Sequence, residues 1–350
     1  MSRRNATPTI LLAAAAAAVA ALPAHAQSLS VHFNTPSLDR WMYPFNSTPG
    51  IETSAPLFGA ILQPGFDDRD AQFLVGFDTQ STIPPGLPLD HYDILSITIT
   101  LAVGNNNVAL YDPTPDSVRT LFPDTDPLHL PDADPGKPIE LFGVAYRNGF
   151  SASTFLESTR FGGAPLVPPA EGARNAFAAV FDDQGNPTDV SRQVRLRPDG
   201  QPFEATPFAV GLTDQVEPGQ PIPAGTVMTF TLSRCDPAAR AYLARGLAEG
   251  RLRFIASSLE PASGDPGGGT GDPTYPTIIT REAGLGLEAT LALNVRVGLP
   301  ADFNADGFVD FFDFADFVDA FEDGDTAADF NADCFVDFFD LDAFLEAFEA

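Results

Sequence analysis

The sequence predicts a mainly β protein: one large, jelly-roll-like β-sandwich over residues 27–299, followed by a small α-helical module over residues 300–350. Three observations carry this. Several upstream runs alternate apolar and polar residues at a period of two, which puts every second side chain on one face of a strand. Proline and glycine punctuate that region while helical periodicity is nearly absent from it. Over residues 301–350 the pattern changes to phenylalanines recurring at helical spacing.

The elements follow in chain order. Arg3 and Arg4, a short apolar run over residues 10–22, and Ala24-His25-Ala26 form the pattern of a secretory signal cleaved near Ala26. The apolar run is too short to span a bilayer, so the chain from about Gln27 is expected to be secreted or cell-surface associated, without a membrane span. Ile97, Ile99, Leu101 and Val103 face one way and Ser96, Thr98 and Thr100 the other, as in a half-buried strand. Residues 73–77, 176–181, 226–232, 251–256 and 287–297 are further strand candidates, and the Asp/Gly/Asn-rich residues 182–186 form a turn. One helix is expected over 237–249: Asp236 is its N-cap, Pro237 sits at its first position and Gly250 stops it. Residues 111–138, rich in Asp and Pro, and residues 261–276, with Gly267-Gly268-Gly269, read as long surface loops.

Charge and chemistry narrow the function. The formal net charge is −28, and residues 301–350 hold 16 acidic and no basic residues, over half of the excess. No basic stripe exists, which argues against nucleic acid as a partner. The two cysteines, Cys235 and Cys334, lie in different parts of the chain, and they are expected to stay unbridged. There is no G-x-S-x-G elbow, since Gly149-Phe150-Ser151-Ala152-Ser153 lacks the second glycine, and no H-E-x-x-H. His32, His91 and His129 are isolated in sequence. A glycosidase needs two carboxylates about a sugar bond; the upstream acidic residues offer many pairs and single out none. Trp41, Tyr43 and Phe45 point to one side of an extended chain. Such a row either stacks on the sugar rings of a polysaccharide or caps the core, and capping is the expectation. Asn46-Ser47-Thr48 fits the N-glycosylation pattern.

The most informative feature is a repeat. Residues 301–322 (ADFNADGFVDFFDFADFVDAFE) and 328–349 (ADFNADCFVDFFDLDAFLEAFE) match at 16 of 22 positions, so what one copy does the other is built to do. A calcium loop of the EF-hand kind takes oxygen ligands from loop positions 1, 3, 5, 7, 9 and 12 and turns sharply at position 6. In the first copy these are Asp302, Asn304, Asp306, the Phe308 carbonyl, Asp310 and Asp313, with Gly307 at the turn. In the second they are Asp329, Asn331, Asp333, the Phe335 carbonyl, Asp337 and Asp340, with Cys334 at the turn. Oxygen ligands without thiolate or imidazole favour Ca²⁺ over a transition metal. A side chain at the turn is strained, so two Ca²⁺ sites are expected, the second weaker. Each loop runs into a helix, with Phe311, Phe314, Val318 and Phe321 in one stripe and Phe338, Leu341, Leu345 and Phe348 in the other. The two stripes are expected to pack together.

Paired loop–helix repeats with Asp at position 12 and the run F-V-D-F-F-D resemble a dockerin, of the Phe-rich kind found in bacterial secreted proteins. The resemblance covers only the last fifty or so residues, and Cys334 and the short spacer 323–327 depart from the pattern. It implies calcium-dependent docking on a cohesin-like protein of a scaffold or cell surface. It also implies partner contacts at loop positions 10 and 11 and helix positions 17 and 18. Here these are Phe311, Phe312, Val318 and Asp319, and Phe338, Phe339, Leu345 and Glu346, so either copy could dock alike. The upstream layout is weakly similar to secreted β-sandwich modules, carried by DAQFLVGFDT, ILSITITLAV and LRFIAS, and transfers no functional residue. The expected function is an exported, non-catalytic β-sandwich protein anchored or assembled through this tail. The alternatives are a polysaccharide hydrolase bearing the same tail, and a carbohydrate-binding module without hydrolysis.

Overall fold

A computed structural model describes residues 27–162, 173–182, 184–194, 203–262 and 274–349. The expected signal segment 1–26, Gly267-Gly268-Gly269 and Asp183 of the expected turn lie outside these residues. The architecture is mainly β, with antiparallel sheets and, among the described residues, three α-helices. None of these helices is long and apolar enough to cross a membrane.

One sheet has four strands, in the order Gln27–Phe33, Thr290–Val297, Tyr92–Ala102, Val227–Thr231. The larger sheet runs Leu38–Met42, Arg69–Asp78, Arg251–Ser257, Glu140–Tyr146, Ala176–Phe181, Pro187–Asp189. The two sheets share one core. Phe73, Val75, Phe77, Leu252 and Phe254 come from the larger sheet, and Ile97, Ile99, Leu101, Phe230, Leu291, Leu293 and Val295 from the smaller. Burial follows the alternation in Tyr92–Ala102, where Ile97, Ile99 and Leu101 are buried. Arg69–Asp78 is different, because it is buried at nine consecutive positions. Its other face meets a second core containing Leu74, Phe142, Ile255, Met42 and Phe155. A strand covered on both faces reads as an unbroken apolar run, which is why residues 73–77 were visible in the sequence. Gln27–Phe33, Leu38–Met42 and Glu140–Tyr146 are strands the sequence had not singled out, and the C-terminal strand begins at Thr290 rather than at 287.

Helix α1, Pro237–Ala248, starts as expected: the Asp236 carboxylate accepts from the backbone N–H of Ala238 (2.9 Å) and Ala239 (3.3 Å). It ends one residue early, with Glu249 as C-cap and Gly250 at φ 72°, the left-handed conformation that glycine tolerates. Leu243, Ala244 and Leu247 pack it onto the shared core.

The tail holds α2, Phe311–Glu322, and α3, Phe338–Glu349. Asp310 caps α2 in a capping box with Asp313. The helices meet through Phe317 and Phe344, both fully buried, whose rings stack 4.1 Å apart, with Phe303 and Phe330 edge-on to them. This corrects the expected stripes: Phe311 and Phe338 are exposed and Leu345 is half-buried outside the core, while Phe314, Val318, Phe321, Leu341 and Phe348 do join it. The cause is Asp313, which is buried because it turns back into its loop. It therefore sets the inward face, which continues one turn later to Phe317. Phe311, two residues earlier, points roughly 200° away at 100° per residue. Asp340 sets the same face in α3.

The expectation for the cysteines also fails: Cys235 and Cys334 form a disulfide, with Cα atoms 5.5 Å apart. The tail folds back so that its second loop lies against the start of α1. The cysteines are 99 positions apart, and the chain between them carries no local sign of that approach.

Candidate metal centre and its surroundings

Each loop is organised by its own acidic side chains. In the first, Asp302 accepts from the N–H of Asp306 (3.1 Å) and Gly307 (2.9 Å). Asn304 Oδ1 accepts from Asp306 N, and Asp306 Oδ1 from Phe308 N, both at 2.9 Å. Asp310 Oδ1 accepts from Phe312 N at 2.8 Å. Asp313 closes the ring by accepting from Asn304 N (3.0 Å) and Asp310 N (2.8 Å). The second loop repeats this bond for bond through Asp329, Asn331, Asp333, Asp337 and Asp340, at 2.8 to 3.1 Å. Backbone conformation repeats too: Ala305 and Ala332 have φ 61° and 57°, and Gly307 and Cys334 have φ 93° and 72°.

The chemistry of this donor set fits a hard divalent cation. Position 1 and position 12 carboxylates (Asp302, Asp313, Asp329, Asp340) are buried in both loops, in a segment without a basic residue of its own. Backbone N–H groups offset part of the cost of burying an ionised carboxylate, and a coordinated cation offsets more. The carboxylates are turned toward backbone amides. Among the described residues, the groups of three whose oxygens lie mutually within 4.8 Å are Asp39, Glu157, Glu282 and Asp112, Asp116, Asp134, both upstream.

Each upstream triad is paired with a basic side chain. Asp39 is buried, which pushes its carboxyl up to about 6, and Arg281 sits among the three acids, 3.3 Å from Asp39 Oδ1 and 3.0 Å from Glu282 Oε1. In the second triad Lys137 Nζ lies 2.9 Å from Asp116 Oδ2 and also pairs with Asp132. Burial pushes Asp116 up to about 6 despite that lysine.

The expected partner residues divide by exposure. Phe311, Phe312, Phe338 and Phe339 are joined by Phe308 and Phe335, the position 7 residues, and all six are between 66% and 71% exposed. Asp319 and Glu346 are exposed, whereas Val318 and Leu345 are half-buried. The side chains of Phe308 and Phe335 were missed because the sequence reading assigned those positions only through their carbonyls. Trp41, Tyr43 and Phe45 do form a row, with ring centroids 4.7 and 5.5 Å apart, but each is half-buried. Trp41 packs on the shared core, and Tyr43 and Phe45 on Phe58 and Phe66. The three rings are thus packed on their neighbours and half-buried.

Residues around the second loop were also missed. Arg234 donates to the Thr326 carbonyl (3.0 Å) and pairs with Asp329, and Arg240 Nη1 donates to the Asn331 carbonyl (2.9 Å). An Arg-Cys-Asp start to a helix carries no signal that it will meet a loop far along the chain.

No known family model and no curated protein matches this chain.

Proposed function

We propose that this is an exported, non-catalytic β-sandwich protein, anchored or assembled through a C-terminal dockerin-like module that binds Ca²⁺ and docks on a cohesin-like partner. The carrying observation is the pair of loops that share one hydrogen-bond net and bury two carboxylates each in a segment lacking basic residues. Ca²⁺ would be held by the position 1, 3, 5, 7, 9 and 12 oxygens and would supply the positive charge that draws those carboxylates together. The exposed phenylalanine triplets support the docking half of the reading, because clustered exposed apolar side chains mark interaction surfaces. Two sheets packed through one core support the sandwich. The half-buried Trp41 row weighs against a carbohydrate platform.

The test is calorimetry of the full chain against a panel of cohesin modules. Binding in calcium is expected, with loss on chelation. Phe311→Ala with Phe312→Ala should leave binding through the second copy, and adding Phe338→Ala with Phe339→Ala should abolish it. Binding that survives chelation, or survives loss of all four rings, overturns the mechanism; no binding across the panel overturns the partner class. Release of reducing ends from a polysaccharide panel would overturn the non-catalytic assignment.

A further inference from the structure

The two repeats share their internal bonding, and the upstream region makes further contacts to the second. Three neighbouring groups at the start of α1 grip the second loop. Cys235 bonds covalently to Cys334, the position 6 residue. Arg234 pairs with Asp329, the position 1 carboxylate, and donates to the Thr326 carbonyl just before it. Arg240, one turn into α1, donates to the carbonyl of Asn331, the position 3 residue.

Each contact falls where a calcium loop needs freedom or charge. Asp329 Oδ1 already accepts from Asp333 N and Oδ2 from Cys334 N. The guanidinium of Arg234 then engages Oδ2 as well, so a cation already sits at position 1. A divalent ion there would have to displace it or lie beside a like charge, and both disfavour binding. Position 6 turns at φ 72°, a conformation suited to glycine, yet it holds the one residue type that can be tied covalently to α1. In the first loop the same position is Gly307, which has no side chain to tie. A cleft of about 420 Å³, lined by Arg234, Arg240, Arg296 and Asp329 among others, opens along the seam.

We propose that the second loop is a mount and not a calcium site: Arg234 gives Asp329 the positive charge an ion would give, and Cys235–Cys334 holds the turn. The chain then binds one Ca²⁺, in the first loop. The second loop keeps its turn without an ion of its own, and calcium in the first loop orders the two-helix core on which both docking faces depend. The inference rests on the calcium-docking reading for the role of the first loop. The mount leaves Phe335, Phe338 and Phe339 exposed, so the whole module is carried in a fixed orientation with both phenylalanine triplets outward.

Native mass spectrometry of the oxidised full chain with calcium chloride counts the ions directly. One bound Ca²⁺ is expected, falling to none in Asp306→Ala. Arg234→Met combined with Cys334→Gly should raise the count to two, by clearing position 1 and restoring glycine at the turn. A wild-type count of two overturns this inference and leaves calcium docking standing. So does a single ion that persists in Asp306→Ala, since it would sit outside the first loop. A wild-type count of zero overturns the calcium reading itself. Should the double variant misfold, the wild-type and Asp306→Ala counts still decide.

Discussion

Breaking the Cys235–Cys334 bridge should cost much of the stability of whatever unfolds with it, and two routes to breaking it should cost different amounts. The cysteines are 99 residues apart in the chain. In the chain-entropy picture, a cross-link closing a loop of that length stabilises the fold by about 4.7 kcal/mol at 25 °C, by restricting the unfolded chain. Cys235→Ser removes that contribution and keeps a side chain at position 334, at φ 72°. Cys334→Gly removes the same contribution but also relieves the left-handed strain of a non-glycine residue, about 1 kcal/mol. Cys235→Ser is therefore expected to lose about 4–5 kcal/mol and Cys334→Gly about 1 kcal/mol less. Urea unfolding followed by circular dichroism, in calcium and with the variants kept reduced, reads both differences. If both variants fall within about 1 kcal/mol of the oxidised protein, the loop-closure reasoning is wrong for this fold. If Cys334→Gly is the less stable of the two, the strain argument fails.

Phe317→Ala removes the ring stacked on Phe344 and touched by Phe303 and Phe330, and should cost about 3–5 kcal/mol, seen as loss of the tail's helical signal. Phe311→Ala, on an exposed ring, should change stability by no more than about 0.5 kcal/mol, and a larger loss would mean that the ring is covered in solution. Asp236→Ala removes two accepted N–H bonds at the start of α1 and should cost about 1 kcal/mol in thermal or urea unfolding. Burial holds the Glu260 carboxyl up at about 7, partly offset by Lys137. A carboxyl raised in the fold binds its proton more tightly there than in the unfolded chain. Stability from this group is thus full below the ordinary value of 4.5 and falls as pH rises toward about 7. Glu260→Gln should flatten that decline in a pH series of unfolding midpoints, and an unchanged slope would show that Glu260 is not its source.

Much of the fold was legible because its signals are local. Alternation placed Ile97, Ile99 and Leu101 on the buried face, and an unbroken apolar run marked the doubly covered strand around Phe73–Phe77. Asp236, Pro237 and Gly250 bracketed α1 because capping depends only on residues within one turn. Edge and short strands such as Gln27–Phe33 escaped notice, since partial exposure leaves their pattern weak. At the candidate site, the Asp and Asn side chains picked out by their spacing accept backbone N–H bonds within their own loops, alike in both copies. The helix stripes were misassigned at Phe311 and Phe338 because hydrophobic spacing alone does not say which way a helix faces; the buried carboxylates of Asp313 and Asp340 decide it.

The sequence by itself determined the acidic repeat, the loop–helix order of the tail and the β character of the region before it. Each of these is a periodicity or spacing that physical chemistry reads over a few residues. Only the tertiary structure decided that Cys235 meets Cys334, that Arg234 pairs with Asp329, and that six phenylalanines face outward while Phe317 and Phe344 form the centre. Those outcomes depend on the path by which the chain returns the tail to α1, and neither residue spacing nor composition encodes that path locally.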